Sequence, residues 1–475
     1  MNPAERTTSG RERRDPVLWG VVAATTALRV WLAWQFFGFL GGDDVEVLEE
    51  ALRVAAGLRY SPWNLRNLLL PDTLVAPFIR LAIALGIHDP GALAFVATIP
   101  LVALASLNII LVYRLARAWC GDIATARLSA LLYAFHWLPL AYGSTVYPRT
   151  ASTTCVLLAA AWVSGGRRDT LRAAGAGAAV AVAFADRYSE AVFLLPLVLL
   201  AWSRDGGRRS IRRCSGLAGG FAAGAMVTVG ACDTLTWGSP FASLVEFAKA
   251  TLVERAFASR IPLQPPLFYL QRLLFWCPPT LVPALVAAWG RRTVRAVWAF
   301  VAVPVVVLSL IAHKEVRYLQ GAIPFLAILG AAGFVALSGR WRRSVVGALL
   351  VLTVASEVFG VRVLAGKSMA AVTAARRLAA DRSVRVVALS QSWAYGGRAF
   401  LGNGVEVRDL PTPPDAHAID AATPGAEAVG VYLNDLQAHP AVRAALARNG
   451  FAERERVEWG ESKTVVVFRA GRSGR

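Results

Sequence analysis

The sequence predicts an all-α polytopic membrane protein of about eleven transmembrane helices, with a small α/β domain after them on the outer face. Three observations carry this. Hydrophobic residues make up 56% of the 475-residue chain and charged residues only 17%, where a soluble protein carries about a quarter charged. Mean hydropathy is +0.49. Apolar runs of roughly 16 to 22 residues, the length a bilayer-crossing helix needs, recur along most of the chain.

The net charge of +19 sits almost wholly in short arginine clusters between those runs: "RERRD" (11–15), "GGRRDTLR" (165–172), "RDGGRRSIRR" (204–213), "GRRTVR" (290–295) and "GRWRR" (339–343). This is the pattern of cytoplasmic loops, so it speaks for topology and against nucleic-acid binding. Cys120, Cys155, Cys214, Cys232 and Cys277 show no paired spacing, which indicates neither a disulfide framework nor a metal site. The first apolar run is too long for a signal peptide and lacks a small-residue cleavage site, so it reads as a retained helix.

With the N-terminus in the cytoplasm, the basic clusters assign the crossings in order. Residues 16–40 lead out and 41–72 stay outside. Residues 72–89 are expected to lie along or dip into the interface, because a crossing there would put every later basic cluster on the wrong side. Segment 92–113 returns, and 127–142, 150–164, 171–185, 188–202, 216–231, 270–289, 296–312, 320–337 and 344–364 alternate after it. Residues 1–365 then form the membrane domain, with its first external loop at 41–72. Residues 366–475 form the outer domain, with strands at 384–390, 429–435 and 463–470 and a helix at 440–450 closed by Gly450. That domain carries no phosphate-cradling glycine motif and no catalytic triad, and the chain shows no internal repeat.

This topology gathers acids, tyrosines and a few cations on the outer face, a mixture suited to a substrate with both phosphate and hydroxyl groups. Asp43 and Asp44 follow the first helix directly; such a pair is either a helix cap or a source of general base. Asp43 and Glu50, seven apart, share a helical face. Lys314 and Arg317 beside Glu315 are either a plain surface ion pair or a cationic phosphate site. His313 next to them is weak evidence alone. Arg187, in a very short turn, faces a polar cavity or pairs with Asp186 or Glu190.

"HKEVRYLQGAIP" (313–324) resembles the HKE-x-R-[FY] signature of the dolichyl-phosphate-mannose-dependent mannosyltransferases of N-glycan and GPI-anchor assembly, polytopic glycosyltransferases of the C structural class (GT-C). The first external loop is similar to the same family through Asp43-Asp44, Glu49-Glu50, Gly57, "SPWN" (61–64), "LRN" (65–67) and Pro71. So are "DRYSEAVFLLPLVL" (186–199) and "CDTLTWGSPFASLVEF" (232–247). The chain departs from the family pattern with Gly41-Gly42 for His-Pro, Asp44 for Glu, Asn64 for an acid and Tyr188 for Pro. These departures bear on the acceptor more than on the reaction type.

The resemblance implies a membrane glycosyltransferase that moves a hexose, mannose first, from a polyprenyl-phosphate donor to a hydroxyl of a glycan or glycolipid acceptor, with inversion. It implies Asp43 as catalytic base with Asp44 beside it, donor phosphate at His313, Lys314, Arg317 and Arg187, and support from Glu50, Glu315 and Asp233. The chemistry requires no cofactor; Asp43, Asp44 and Glu50 are the acids able to hold a divalent metal. The alternative is a transporter or flippase of a lipid-linked or anionic substrate, which would place charge at the bilayer midplane and show repeats. A sensor or scaffold would explain the outer domain but not the 313–317 segment. Arginine-rich composition and the lack of an organelle retention signal lean towards a bacterial plasma membrane.

Overall fold

Aspartate–proline pairs set where two of the long helices begin. In the computed structural model, which describes residues 15–37, 43–59, 69–165, 169–203, 207–253, 264–276, 281–289, 292–311, 314–336, 369–390, 398–402, 404–411, 413–460 and 462–471 with isolated positions at 347, 351, 355, 358 and 396, α1 spans Pro16–Phe36. Asp15 caps it, accepting from the Val17 N–H at 3.1 Å. Asp89 does the same for α4 (Pro90–Cys120), accepting from the Ala92 N–H at 2.8 Å. Each carboxylate satisfies an N–H that the first turn leaves without a partner, and proline at the first position lacks that N–H altogether. Gly121, at φ 80°, closes α4.

Between them lie α2 (Asp43–Ala55) and α3 (Ala76–Ala84), the latter entered through a π-turn at Pro71–Val75. The bundle continues with α5 (Ile123–Ala134), α6 (Trp137–Tyr142), α7 (Arg149–Ser164), α8 (Asp169–Asp186), α9 (Leu194–Ser203) and α10 (Gly207–Ala225). Among the described residues four helices are long and apolar enough to cross a membrane: Pro16–Phe36, Pro90–Cys120, Arg209–Trp237 and Val316–Ala336. The protein is therefore an integral membrane protein, mostly helical.

Helices lie over most of the segments expected to cross, four of them long enough to do so, and several are interrupted for local reasons. Segment 127–142 breaks at His136, whose Nδ1 accepts from the Leu138 N–H at 3.2 Å and starts α6. Helix α7 covers the expected 150–164, but it buries Thr150, Ser152, Thr153 and Thr154 and so faces protein. Segment 188–202 opens with a 3-10 turn over Tyr188–Phe193. Of the expected run at 270–289, Phe268–Trp276 and Leu281–Trp289 are helical, and residues 277–280 lie outside the described residues. Most of 344–364 lies outside the described residues.

Helices α8 and α10 pack backbone to backbone. Gly216, Gly220 and Gly224 recur every fourth residue, and a Cβ on Gly220 would meet the Ala174 carbonyl oxygen at 1.9 Å. In lipid, where burying apolar surface between helices gains little, such close approach is what holds them together.

The C-terminal residues form a five-stranded sheet in the order β2-β1-β3-β5-β4, parallel through β2 (Glu406–Leu410), β1 (Val386–Ser390) and β3 (Ala428–Tyr432). Strands β5 (Val465–Ala470) and β4 (Phe451–Val457) run antiparallel to complete it. The three expected strands are β1, β3 and β5, and the expected helix is Pro440–Arg448. The two edge strands, β2 and β4, were not foreseen. Both carry mostly charged residues, as edges that avoid further pairing do, and so lack an apolar run to read.

One face of this sheet packs on the membrane bundle. Val47, Leu48, Ala51 and Val54 of α2 share a buried cluster with Val387 and Leu389 of β1 and with Phe400 and Leu401. Phe37 meets Phe400 edge-on at 6.0 Å, and the Arg376 guanidinium lies 4.4 Å from the Phe37 ring centre. The short helix Arg398–Leu401 of this domain thus packs against the helix that begins at Asp43.

Candidate active site

Helix α2 starts with the acids its N-terminal dipole favours, Asp43, Asp44 and Glu46. Its apolar side packs on the Pro71–Val75 turn, on α3 and on the short helix Arg398–Leu401, and Asp43 and Asp44 at its start are only 5% and 0% exposed. Two carboxylates at that depth need partners. Asp44 accepts a hydrogen bond from the Thr145 hydroxyl at 3.4 Å. Asp43 forms ion pairs with Arg187 and with Arg317, the latter at 3.5 Å.

The two arginines come from opposite halves of the chain. Arg187 is the extended residue between α8 and the Tyr188–Phe193 turn. Arg317 stands in a second 3-10 turn, Val316–Ala322, and is also paired with Glu315. Tyr147 lies between them: its ring centre is 5.4 Å from the Arg187 guanidinium and 5.6 Å from that of Arg317. Arg187 also donates to the Tyr147 hydroxyl at 3.3 Å. Burial, with Arg317 nearby, pulls Arg187 down to about 10, so it remains a cation at neutral pH. Two guanidinium groups converging on one point form a planar, multidentate seat for an oxyanion, and in this structure the oxyanion is the carboxylate of Asp43.

The residues expected from the sequence divide accordingly. Asp43, Arg187, Arg317 and Glu315 form one ion-pair network, with Asp44 adjacent to Asp43. Neither Asp186 nor Glu190 is the partner of Arg187 shown here, since Glu190 is taken by Arg149. Lys314 is buried and donates to the Gln264 carbonyl at 3.2 Å, and burial lowers its pKa. Glu50 lies 3.9 Å from Arg53, one turn on. Asp233 accepts from the Ser243 N–H at 3.0 Å and from its hydroxyl at 2.5 Å. Ser243 in turn meets the Tyr188 hydroxyl, so Asp233 steadies the turn beside Arg187. His313, Gly41, Gly42 and residues 60–68 lie outside the described residues. Among the described residues no three His, Cys, Asp or Glu side chains gather as metal ligands.

Two contributors were missed by sequence reasoning. Tyr147 and Arg149 stand in "YGSTVYPRT", a segment counted among the outer-face polar clusters but not as part of the site. Their signal is an arginine and a tyrosine within three residues at the start of an apolar run, where either is costly without a partner.

Solved structures place this architecture. ArnT from Cupriavidus metallidurans, bound to undecaprenyl phosphate, superposes with a TM-score of 0.64 at 14% identity over 97% of this chain and 99% of that one. The arabinofuranosyltransferase AftD from Mycobacteria gives 0.54 at 17% identity, over 96% of this chain and 40% of that one. The Archaeoglobus fulgidus oligosaccharyltransferase gives 0.54 at 10% identity, over 96% and 74%. The fold shared with them is that of the GT-C glycosyltransferases. No curated protein sequence matches the chain. Residues 58–380, which include Arg187 and Arg317 and begin after Asp43, match the Alg9-like mannosyltransferase family, and the chain belongs to that family.

Proposed function

We propose that the protein transfers a hexose, mannose by its family, from a polyprenyl-phosphate donor to a hydroxyl of a glycan or glycolipid acceptor on the non-cytoplasmic face. The observation that carries this is the meeting of one buried carboxylate with two arginines from distant segments.

In the reaction, the acceptor oxygen bonds to the anomeric carbon while the bond from that carbon to the phosphate oxygen breaks. The acceptor proton passes to Asp43, and the electron pair leaves with the lipid phosphate. A single displacement inverts the anomeric centre. Arg187 and Arg317 neutralise the charge that grows on the departing phosphate, in a site where water is largely excluded.

Ligand-free, Asp43 is a poor base, because the adjacent cations stabilise its charged form. Donor phosphate satisfies the same two arginines and sets the carboxylate free to take the acceptor's proton. The donor therefore binds before the acceptor. Glu315 holds Arg317 through this exchange.

Support for a lipid phosphate also comes from the undecaprenyl phosphate bound to ArnT, one of the structural neighbours. The test is transfer by protein in nanodiscs supplied with radiolabelled polyprenyl-phosphate mannose and a panel of glycolipid acceptors. Label should appear in an acceptor product, and label confined to the donor with every acceptor would count against the reading. Sidedness has its own check: a reporter fused after Arg475 should be active only outside the cytoplasm, and one near Arg208 only inside.

A further inference from the structure

The phosphate seat needs Arg187 and Arg317 at a fixed spacing, yet Arg187 stands just before one short 3-10 turn and Arg317 within another, and 3-10 geometry is weak in isolation. The two turns come together through Arg149, the first residue of α7. Arg149 is 2% exposed and its guanidinium is ion-paired with Glu190 of the first turn, itself 1% exposed. A second N–H group donates to the Ser189 hydroxyl of that turn at 3.0 Å. The other turn is held by the Tyr318 carbonyl, which accepts from Arg149 at 3.3 Å, and by the Tyr318 ring, centred 4.8 Å from the guanidinium.

The turns also approach each other directly at Gly321. A Cβ on Gly321 would come within 2.8 Å of the Phe193 ring and 3.1 Å of the Glu190 carboxylate. Two residues before Arg149, Tyr147 separates the two site arginines. Segment 147–149 thus touches both cations and both turns that carry them.

We infer that Arg149 with Glu190 is a positioning pair that sets the spacing of Arg187 and Arg317, and with it affinity for the lipid-phosphate donor. This rests on the donor reading above. Arg149 is spent on protein groups, so its effect reaches the substrate through the two turns and not by contact.

The pair is separable from stability. Exchanging a buried ion pair for apolar residues of similar volume is often neutral or stabilising, whereas removing one partner is not. The combined variant Arg149→Met with Glu190→Leu should unfold thermally like the wild type, with the donor KM raised roughly tenfold or more and kcat lowered with it, because the same two arginines are displaced. Gly321→Ala removes no charge and wedges the turns apart, so it should raise the donor KM in the same way. A folded double variant with wild-type donor KM overturns the proposal.

Binding of polyprenyl phosphate without a sugar, by protein in nanodiscs, distinguishes the two levels. Failure of the wild type to bind it would sink the donor reading itself. In that event a cryo-EM structure of the double variant still decides the inference: separation of Arg317 from Asp43 supports it, and both arginines unmoved on Asp43 defeat it.

Discussion

Asp43→Asn loses nearly all sugar transfer while binding polyprenyl phosphate more tightly than the wild type. The two effects share one cause. The amide keeps the shape of the carboxylate but takes no proton, and a positioned base contributes on the order of a hundredfold to ten-thousandfold in rate. The amide also no longer competes for Arg187 and Arg317. A hydrogen bond to a charged group is worth about 1.5–3 kcal/mol, so affinity for the free lipid phosphate should rise by roughly tenfold. Transfer is read with radiolabelled donor and affinity by titration into nanodiscs. Unchanged affinity would mean that the phosphate does not take the place of the carboxylate, and near-normal transfer would pass the role to Asp44 or Glu50.

Arg317→Ala and Lys314→Ala, three residues apart, should differ sharply. Arg317 meets Asp43, and loss of a preorganised group of this kind costs about 10²–10³ in rate. Part of that loss is structural, because removing one partner of a buried pair leaves a charge uncompensated at about 3–5 kcal/mol. Arg317→Lys restores charge but not the planar fork, and only partial activity should return. Lys314 is turned to the Gln264 carbonyl, so Lys314→Ala should lower donor use by no more than about fivefold, the loss of one hydrogen bond. Steady-state kinetics against donor concentration separates the three variants. Equal losses in Arg317→Ala and Lys314→Ala would return Lys314 to the phosphate site.

Much of the fold was legible because bilayers impose a length and an apolarity that the sequence carries openly. The membrane class and the sheet's three buried strands follow from apolar runs, and the helix stop follows from Gly450, at φ 77°. The break between α5 and α6 does not, since it depends on a single group, His136 capping a new helix.

The site was legible in half. Asp43, Arg187, Glu315 and Arg317 stand out as charges at the ends of apolar runs. The 313–317 segment reads as a line of charges, but a tight turn sends its side chains different ways. Lys314 therefore leaves the cluster that Arg317 joins. Pairing is harder still. The partner of Arg187 is a carboxylate 144 positions earlier in the chain, and sequence proximity had favoured Asp186 or Glu190. Arg149 escaped notice because its role is set by what the two turns present to it, Glu190, Ser189 and the Tyr318 carbonyl.

The central claim is that one seat, Arg187 with Arg317, holds Asp43 in the resting protein and lipid phosphate in the working one. A cryo-EM structure of the wild type with polyprenyl phosphate in nanodiscs tests it most directly. The account predicts phosphate oxygens in hydrogen-bond contact with both guanidinium groups and the Asp43 carboxylate withdrawn from them. Phosphate density elsewhere on the bundle, with Asp43 still paired to both arginines, would contradict it.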